Sequence, residues 1–232
     1  MERNRKEMTE PLHLIEIEEI GKDYASEGAT VSAIKEMSFH IDDGDFVSIM
    51  GQSGSGKSTL LSILGGLNRP TRGRVRVDTL DIYELTSEQR ADFRSEYVGF
   101  IFQSFQLIPY LTARENVKLP MAITGTSPGK QEELADDVLK RVGLADKANR
   151  LPDQLSGGEQ ERVAIARAIV NNPPILLADE PTGNLDSTTA GEVVSLLRQL
   201  NEEGQTIVMV SHNPDMCRHG KKTIRVKDGL LG

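Results

Sequence analysis

Eight consecutive residues, Gly51-Gln52-Ser53-Gly54-Ser55-Gly56-Lys57-Ser58, narrow what this chain can become more than any other feature. They match G-x-x-x-x-G-K-[ST] in full. Phe46-Val47-Ser48-Ile49-Met50 in front of them reads as a buried strand, and Lys57 to Leu64 behind them reads as helical. Strand, glycine-rich turn and helix, in that order, make a phosphate-binding turn. Phosphate oxygens must meet several backbone N–H groups at once. Glycine reaches the dihedrals that aim those groups inward and has no Cβ in the way. The helix beginning near Gly56 adds unsatisfied N–H groups and the positive end of its dipole. Lys57 brings a full cation to the β and γ phosphates, and Thr59 follows on the same first turn. The Ser58 hydroxyl suits Mg²⁺, an ion that prefers oxygen and keeps most of its waters. A glycine turn that merely caps a helix is the plain alternative; the flanking strand and helix favour phosphate.

Around this turn the chain alternates. Between Leu12 and Asp45 the pattern predicts short strands, such as Leu14 to Ile17 and Ser38 to Ile41, with breaks at Gly21, Gly28 and Asp42-Asp43-Gly44. Thr86 to Tyr97 reads as a polar helix and Val98 to Phe102 as a short strand. From Gln103 to Gln160 the character changes. Leu134, Val138 and Val142 recur at helical spacing, and Pro109, Pro120, Pro128 and Pro152 punctuate a mainly helical insertion. Glu161 to Asn171 (helix), Ile175 to Ala178 (strand), Gly191 to Asn201 (helix), Thr206 to Val210 (strand) and Thr223 to Val226 (strand) follow. Alternation of this kind argues an α/β fold, a parallel sheet covered by helices.

Composition sets the outer bounds. A chain of 232 residues makes one or two compact domains. Aromatic residues are only 4% and Trp is absent, so the core must be mostly aliphatic. A formal net charge of -8 argues against a nucleic-acid partner, whose backbone is gripped by a Lys and Arg surplus. The single cysteine, Cys217, excludes an intrachain disulfide and reads as structural. The best apolar run, Leu60 to Leu67, is short and broken by glycines, so the chain is expected not to cross a bilayer. Residues 1–11 are polar and read as a loose tail, with 12–232 as one domain.

Ile175-Leu176-Leu177-Ala178-Asp179-Glu180 is an apolar strand ending in two acids. Ligands of open parallel sheets sit beyond the carboxyl ends of the strands. Asp179 is therefore placed to hold the hydration shell of Mg²⁺. Glu180, one residue on, points elsewhere and can polarise an attacking water. Phosphoryl transfer depends mainly on such positioning and on charge stabilisation.

Leu155-Ser156-Gly157-Gly158-Glu159-Gln160 precedes the helical run from Glu161 to Ala168. Ser156 and Glu159 form an S-x-x-E capping box, so an ordinary helix start is one reading. A second anion site, made of small residues, free N–H groups and a helix dipole, is the other. With the L-S-G-G-x-Q pattern the sequence resembles an ABC transporter ATPase, and the match covers nearly the whole chain. Gln103 stands at the family's Q-loop position, Pro181 to Asp186 resembles the D-loop region, and His212 matches the switch histidine. Tyr24 falls where the family places an aromatic against adenine, although it can equally pack on the β-subdomain. One departure is Glu159, where many relatives carry Gln.

The resemblance implies a P-loop NTPase (RecA-like) core with an antiparallel β-subdomain, in 12–102 and 161–232, and a helical subdomain insertion at 103–160. It implies ATP and Mg²⁺ as ligands. It implies a homodimer of cassettes paired head to tail, each ATP held between one copy's Gly51 to Thr59 and the other copy's Ser156, Gly157 and Gly158, with Asp186 nearby. Gln103 would contact Mg²⁺ or the attacking water. His212 would touch the γ-phosphate, and Glu180 and Lys57 would carry the chemistry. The expected partner is a separate membrane permease, at the cytoplasmic face of the membrane, in a branch like that of lipoprotein release and macrolide export. A regulatory cassette of a cell-division-type complex would look the same from this chain. DNA-maintenance relatives usually carry long coiled coils or zinc-binding insertions between the two phosphate motifs, which are not found here.

Overall fold

The computed structural model describes residues 13–26 and 29–232. The expected tail at 1–11 and the break at Gly28 lie outside the described residues. In chain order the strands and α-helices are β1 (Ile15–Ser26), β2 (Ala29–Ile41), β3 (Phe46–Met50), α1 (Lys57–Leu64), β4 (Arg72–Val77), β5 (Leu80–Asp81), α2 (Ser87–Tyr97), β6 (Val98–Ile101), α3 (Ala113–Lys118), α4 (Pro128–Arg141), α5 (Gly157–Ile169), β7 (Ile175–Asp179), α6 (Ser187–Glu202), β8 (Thr206–Ser211), α7 (Pro214–Cys217), β9 (Lys222–Lys227) and β10 (Leu230–Leu231).

The strands form one continuous sheet in the order β5-β4-β1-β2-β10-β9-β3-β8-β7-β6. From β9 to β6 every pairing is parallel. The β5-β4-β1-β2 end is antiparallel. The parallel part is buried on both faces, as its alternation shows. In β7, Ile175 and Leu177 face one core with Val47, Ile49, Leu60 and Ile63. Leu176 and Ala178 face the other with Phe46, Val193, Leu197 and Leu200. β8 alternates in the same way, with Ile207 and Met209 on one side and Val208 and Val210 on the other. A strand covered twice has no polar face to show, which explains the unbroken apolar runs in the sequence. The core is mostly aliphatic, as the composition demands, with Phe46, Tyr83 and Phe93 buried among the aliphatic side chains.

Differences from the sequence reading are local. Gly21, expected as a break, lies inside β1, which runs on to Ser26 through register shifts between Ile17 and Asp23. Those irregularities let a long strand bend instead of ending. β4 is a strand that the reading leaves out, although Val75 and Val77 are buried and alternate with Arg74 and Arg76. Helix α5 begins at Gly157 and runs on through Glu161, so one continuous helix joins the signature segment to the core.

Between β6 and α5 the chain is helical and tied by side chains. Asn116 on α3 is fully buried; its amide donates to the Ile108, Leu111 and Thr112 carbonyls and accepts from the Ile108 N–H. Leu134, Val138 and Val142 pack against the second core, as their spacing predicts.

Glu161 is an exception to the apolar rule. It is 0% exposed on α5, and among the described residues neither carboxylate oxygen has a hydrogen-bond partner. Burial pushes its carboxyl up from the ordinary 4.5 to about 8, against the opposing pull of Arg167. The folded chain therefore holds this proton up to about pH 8, whereas the unfolded chain releases it near 4.5. Between those values the folded state binds more protons, so stability falls as pH rises. Glu161→Gln removes the proton and the dependence. Thermal melts of both chains from pH 5 to pH 8.5 should show the variant gaining on the wild type by at least about 2 °C over that range. A difference that stays constant with pH would contradict the reading of Glu161 as a carboxyl that folding keeps protonated.

Candidate nucleotide-binding site

The glycine turn joins the end of β3 to the start of α1. Gly56 caps α1 at φ 100, a left-handed conformation, and a Cβ there would meet the Ala33 carbonyl oxygen at 2.3 Å. Gly51 has no more room, because a Cβ would stand 2.2 Å from the Val226 carbonyl oxygen. Both positions require glycine for steric reasons, independent of any ligand. The turn walls a cavity of about 740 Å³ together with Gln103, Glu180 and His212. Gly51, Gln52, Ser53, Gly54, Gly56, Lys57, Ser58 and Thr59 all line it. Ser55 turns its hydroxyl away into the interior.

Lys57 is only 5% exposed. Its ammonium donates to the Gln52 carbonyl at 2.9 Å and stands 4.0 Å from Glu180 Oε1. Glu180 takes a left-handed backbone (φ 50), fixed by its N–H donating to the Val210 carbonyl at 3.0 Å. That reversal sends its side chain away from the line of Asp179. Glu180 Oε2 lies 2.6 Å from His212 Nδ1. Lys57, Glu180 and His212 thus form a row of charged and titratable groups along one wall. His212 stands just past β8, which lies between β3 and β7 in the sheet.

Ser58 and Asp179 meet beside this row, the Ser58 hydroxyl donating to Asp179 Oδ1 at 3.0 Å. Burial pushes the Asp179 carboxyl up, and the Ser58 hydrogen bond opposes it. A hydroxyl and a desolvated carboxylate converging at the strand ends fit Mg²⁺: the donors are all oxygen, and a cation would stabilise the buried charge. Gln103, just past β6, has its backbone carbonyl held by the Asn184 amide at 2.9 Å. Its own amide lies beside Gly183.

The remaining expected residues lie outside this cavity. Ser156 caps α5: its N–H donates to Glu159 Oε2 at 2.8 Å, and its Oγ accepts from the Glu159 N–H at 3.3 Å. The Ser156 N–H holds the Glu159 carboxyl below the usual carboxylate range. Asp186 caps α6, accepting from the Thr189 hydroxyl and from the Thr188 and Thr189 N–H groups. The two helix starts abut, with Gly158 so close to Thr189 that a Cβ would stand 2.2 Å from its methyl. Tyr24 is 39% exposed; its hydroxyl accepts from the Asn68 amide, and Lys22 lies over its ring. Cys217 is buried, with its thiol pushed up by burial, as a structural cysteine should be. Ala33, Met50 and Pro214 line the cavity without having been expected there. Backbone curvature brings them in, and their side chains carry no signal a sequence reader would notice.

The ABC transporter family profile matches residues 34–183. The chain is 46% identical over 223 residues to the macrolide export ATP-binding/permease protein MacB of Syntrophobacter fumaroxidans, covering 95% of this chain and 31% of that protein. It is 46% identical over 221 residues to the uncharacterized ABC transporter ATP-binding protein MJ0796 of Methanocaldococcus jannaschii, covering 93% of this chain and 94% of that one. A dimeric, post-hydrolysis structure of MJ0796 bound to ADP and Pi superimposes with a TM-score of 0.87 at 44% identity, over 94% of this chain and 96% of that chain. The chain thus spans about a third of the MacB relative and nearly all of MJ0796. It belongs to the ABC transporter family, as an ATP-hydrolysing cassette with the α/β fold of P-loop ATPases.

Proposed function

We propose that the chain pairs head to tail with a second copy, closes on MgATP, and opens on hydrolysis to drive a membrane permease at the cytoplasmic face. What carries the reading is the placement of the two anion-binding helix starts. The α1 start lies in the cavity, and the α5 start lies outside it. Ser156 Oγ already accepts from the Glu159 N–H, so its own O–H proton is left to donate. A second copy can offer that proton, and the Gly157 and Gly158 N–H groups, to a γ-phosphate held by Gly51 to Thr59. The dimeric MJ0796 structure and the fused ATP-binding/permease architecture named for MacB support the same reading. The similarity to MacB favours the macrolide-export and lipoprotein-release branch.

The family resemblance, together with the geometry of the cavity, supports the following roles. Backbone N–H groups of Gly51 to Ser58 and the Lys57 ammonium bind the phosphates. Mg²⁺ held through Ser58, Asp179 and Gln103 would supply positive charge against the β and γ oxygens. A γ-phosphate competes for Lys57, which now faces Gln52 and Glu180, and leaves Glu180 paired with His212 alone. Glu180 then accepts a proton from the attacking water. His212, with Nδ1 on Glu180, keeps that carboxylate oriented and turns its other nitrogen toward the phosphate. Asp186 and Asn184 steady the loop between the two copies, and Tyr24 takes the adenine. Residues 12–102 and 161–232 act as the core with the β-subdomain, and 103–160 as the helical subdomain that carries the signature segment.

Glu180→Gln should retain ATP binding and lose at least about a hundredfold in turnover, the lower range for a lost general base. With MgATP it should elute as a dimer in size-exclusion chromatography. Wild-type turnover in this variant would remove Glu180 from the role. Ser156→Arg should abolish hydrolysis and leave the Kd for ATP of the isolated monomer within about twofold, since a residue with no contact to the nucleotide of its own copy should change binding little. Loss of monomer binding would contradict action across the dimer.

A further inference from the structure

Three metal-ligating side chains meet at the antiparallel end of the sheet, and none of them lines the nucleotide cavity. His13 precedes β1, His40 is near the end of β2, and Asp42 follows that strand. The β1–β2 ladder pairs Ile15 with Ile41 and Glu16 with His40, which brings the start of β1 alongside the end of β2. His13 Nδ1 lies 2.5 Å from Asp42 Oδ1. The His13 and His40 rings stack with centroids 3.7 Å apart and planes 21° apart. One ligand atom from each of the three residues lies within 4.8 Å of the others.

The local charge favours a cation. Asp42, Asp43 and Asp45 crowd one turn; Lys222 answers them, 2.7 Å from both Asp42 Oδ2 and Asp45 Oδ2, and Lys221 donates to the Gly44 carbonyl of the same turn at 3.3 Å. Lys222 occupies Oδ2 and leaves Oδ1 on the histidine side. A bound ion would draw Asp42 Oδ1 away from His13 Nδ1, so that the carboxylate and the imidazole both turn to the metal.

The geometry points to a divalent transition-metal site at His13, His40 and Asp42. Imidazole nitrogens with one carboxylate suit Zn²⁺, Ni²⁺ or Cu²⁺ and discriminate against Mg²⁺ and Ca²⁺, which want oxygen throughout. The stacked rings must splay edgewise to share one ion. His40 is exposed, so it can turn about its side-chain bonds without disturbing the core. A bound ion would tie the residues ahead of β1 to the 42–45 turn, which leads directly into β3 and the phosphate-binding turn.

The test uses the whole chain, stripped of metal and nucleotide. Isothermal titration with Zn²⁺ should give one equivalent of saturable binding, and Co²⁺ should produce a visible d–d band. His40→Ala and His13→Ala should each weaken binding by at least about tenfold. His212→Ala, which removes the imidazole beside Glu180, should leave it unchanged. Zn²⁺ should raise the Tm of the wild type, because a ligand that binds only the folded state stabilises it, and should leave that of His40→Ala where it was. Absence of saturable Zn²⁺ binding, binding indifferent to His40→Ala, or binding lost only in His212→Ala would each overturn the assignment.

Discussion

A buried ammonium organises the catalytic end of this molecule. Lys57 is almost wholly removed from water, with a backbone carbonyl as its close partner and Glu180 at 4.0 Å. An ammonium so placed is costly to desolvate and is tolerated because acceptors surround it. A triphosphate is a stronger acceptor than either partner. The same arrangement that keeps Lys57 bearable without nucleotide would therefore favour phosphate binding and, in the proposed roles, would link that binding to the state of Glu180. The left-handed backbone at Glu180 belongs to this arrangement, because it turns the carboxylate toward Lys57 and His212 while Asp179 stays with Ser58.

The sheet makes that convergence possible. β3, β7, β8 and β6 run parallel, so Gly51, Glu180, His212 and Gln103 all emerge at one edge although they are distant in sequence. Helices on both faces bury the strands, and the apolar alternation between the two cores fixes their register. A slip of one residue would exchange the cores and displace every group of the proposed site. The rigidity needed for phosphoryl transfer thus comes from aliphatic packing, and the chemistry occupies the loops at the strand ends.

Much of this was legible in the sequence because the signals are dense and local. Gly51 to Ser58 announces itself by steric need: two of its glycines face backbone carbonyls at distances no Cβ survives. The strand before Asp179 and the capping box at Ser156 follow from periodicity and from a three-residue spacing. What escaped notice is held by contacts distant in sequence. Gly21 was expected to end a strand, and the neighbouring sheet keeps that strand going. In β4 the arginines at 72, 74 and 76 hide the alternation of the buried Val75 and Val77. Ala33 and Pro214 reach the cavity only through the path of the backbone, and the buried carboxyl of Glu161 has no signature at all.

Within one chain the two anion-binding helix starts stand apart, and the account holds that they meet only across two copies. The most direct measurement places cysteines at Ser53 and Glu159 in a Glu180→Gln, Cys217→Ala background and applies a short bifunctional maleimide with and without MgATP. Head-to-tail pairing requires a covalent dimer on a denaturing gel that forms only with MgATP, and only when both cysteines are present in the mixture. A product confined to single chains, or no product under nucleotide trapping, would contradict it.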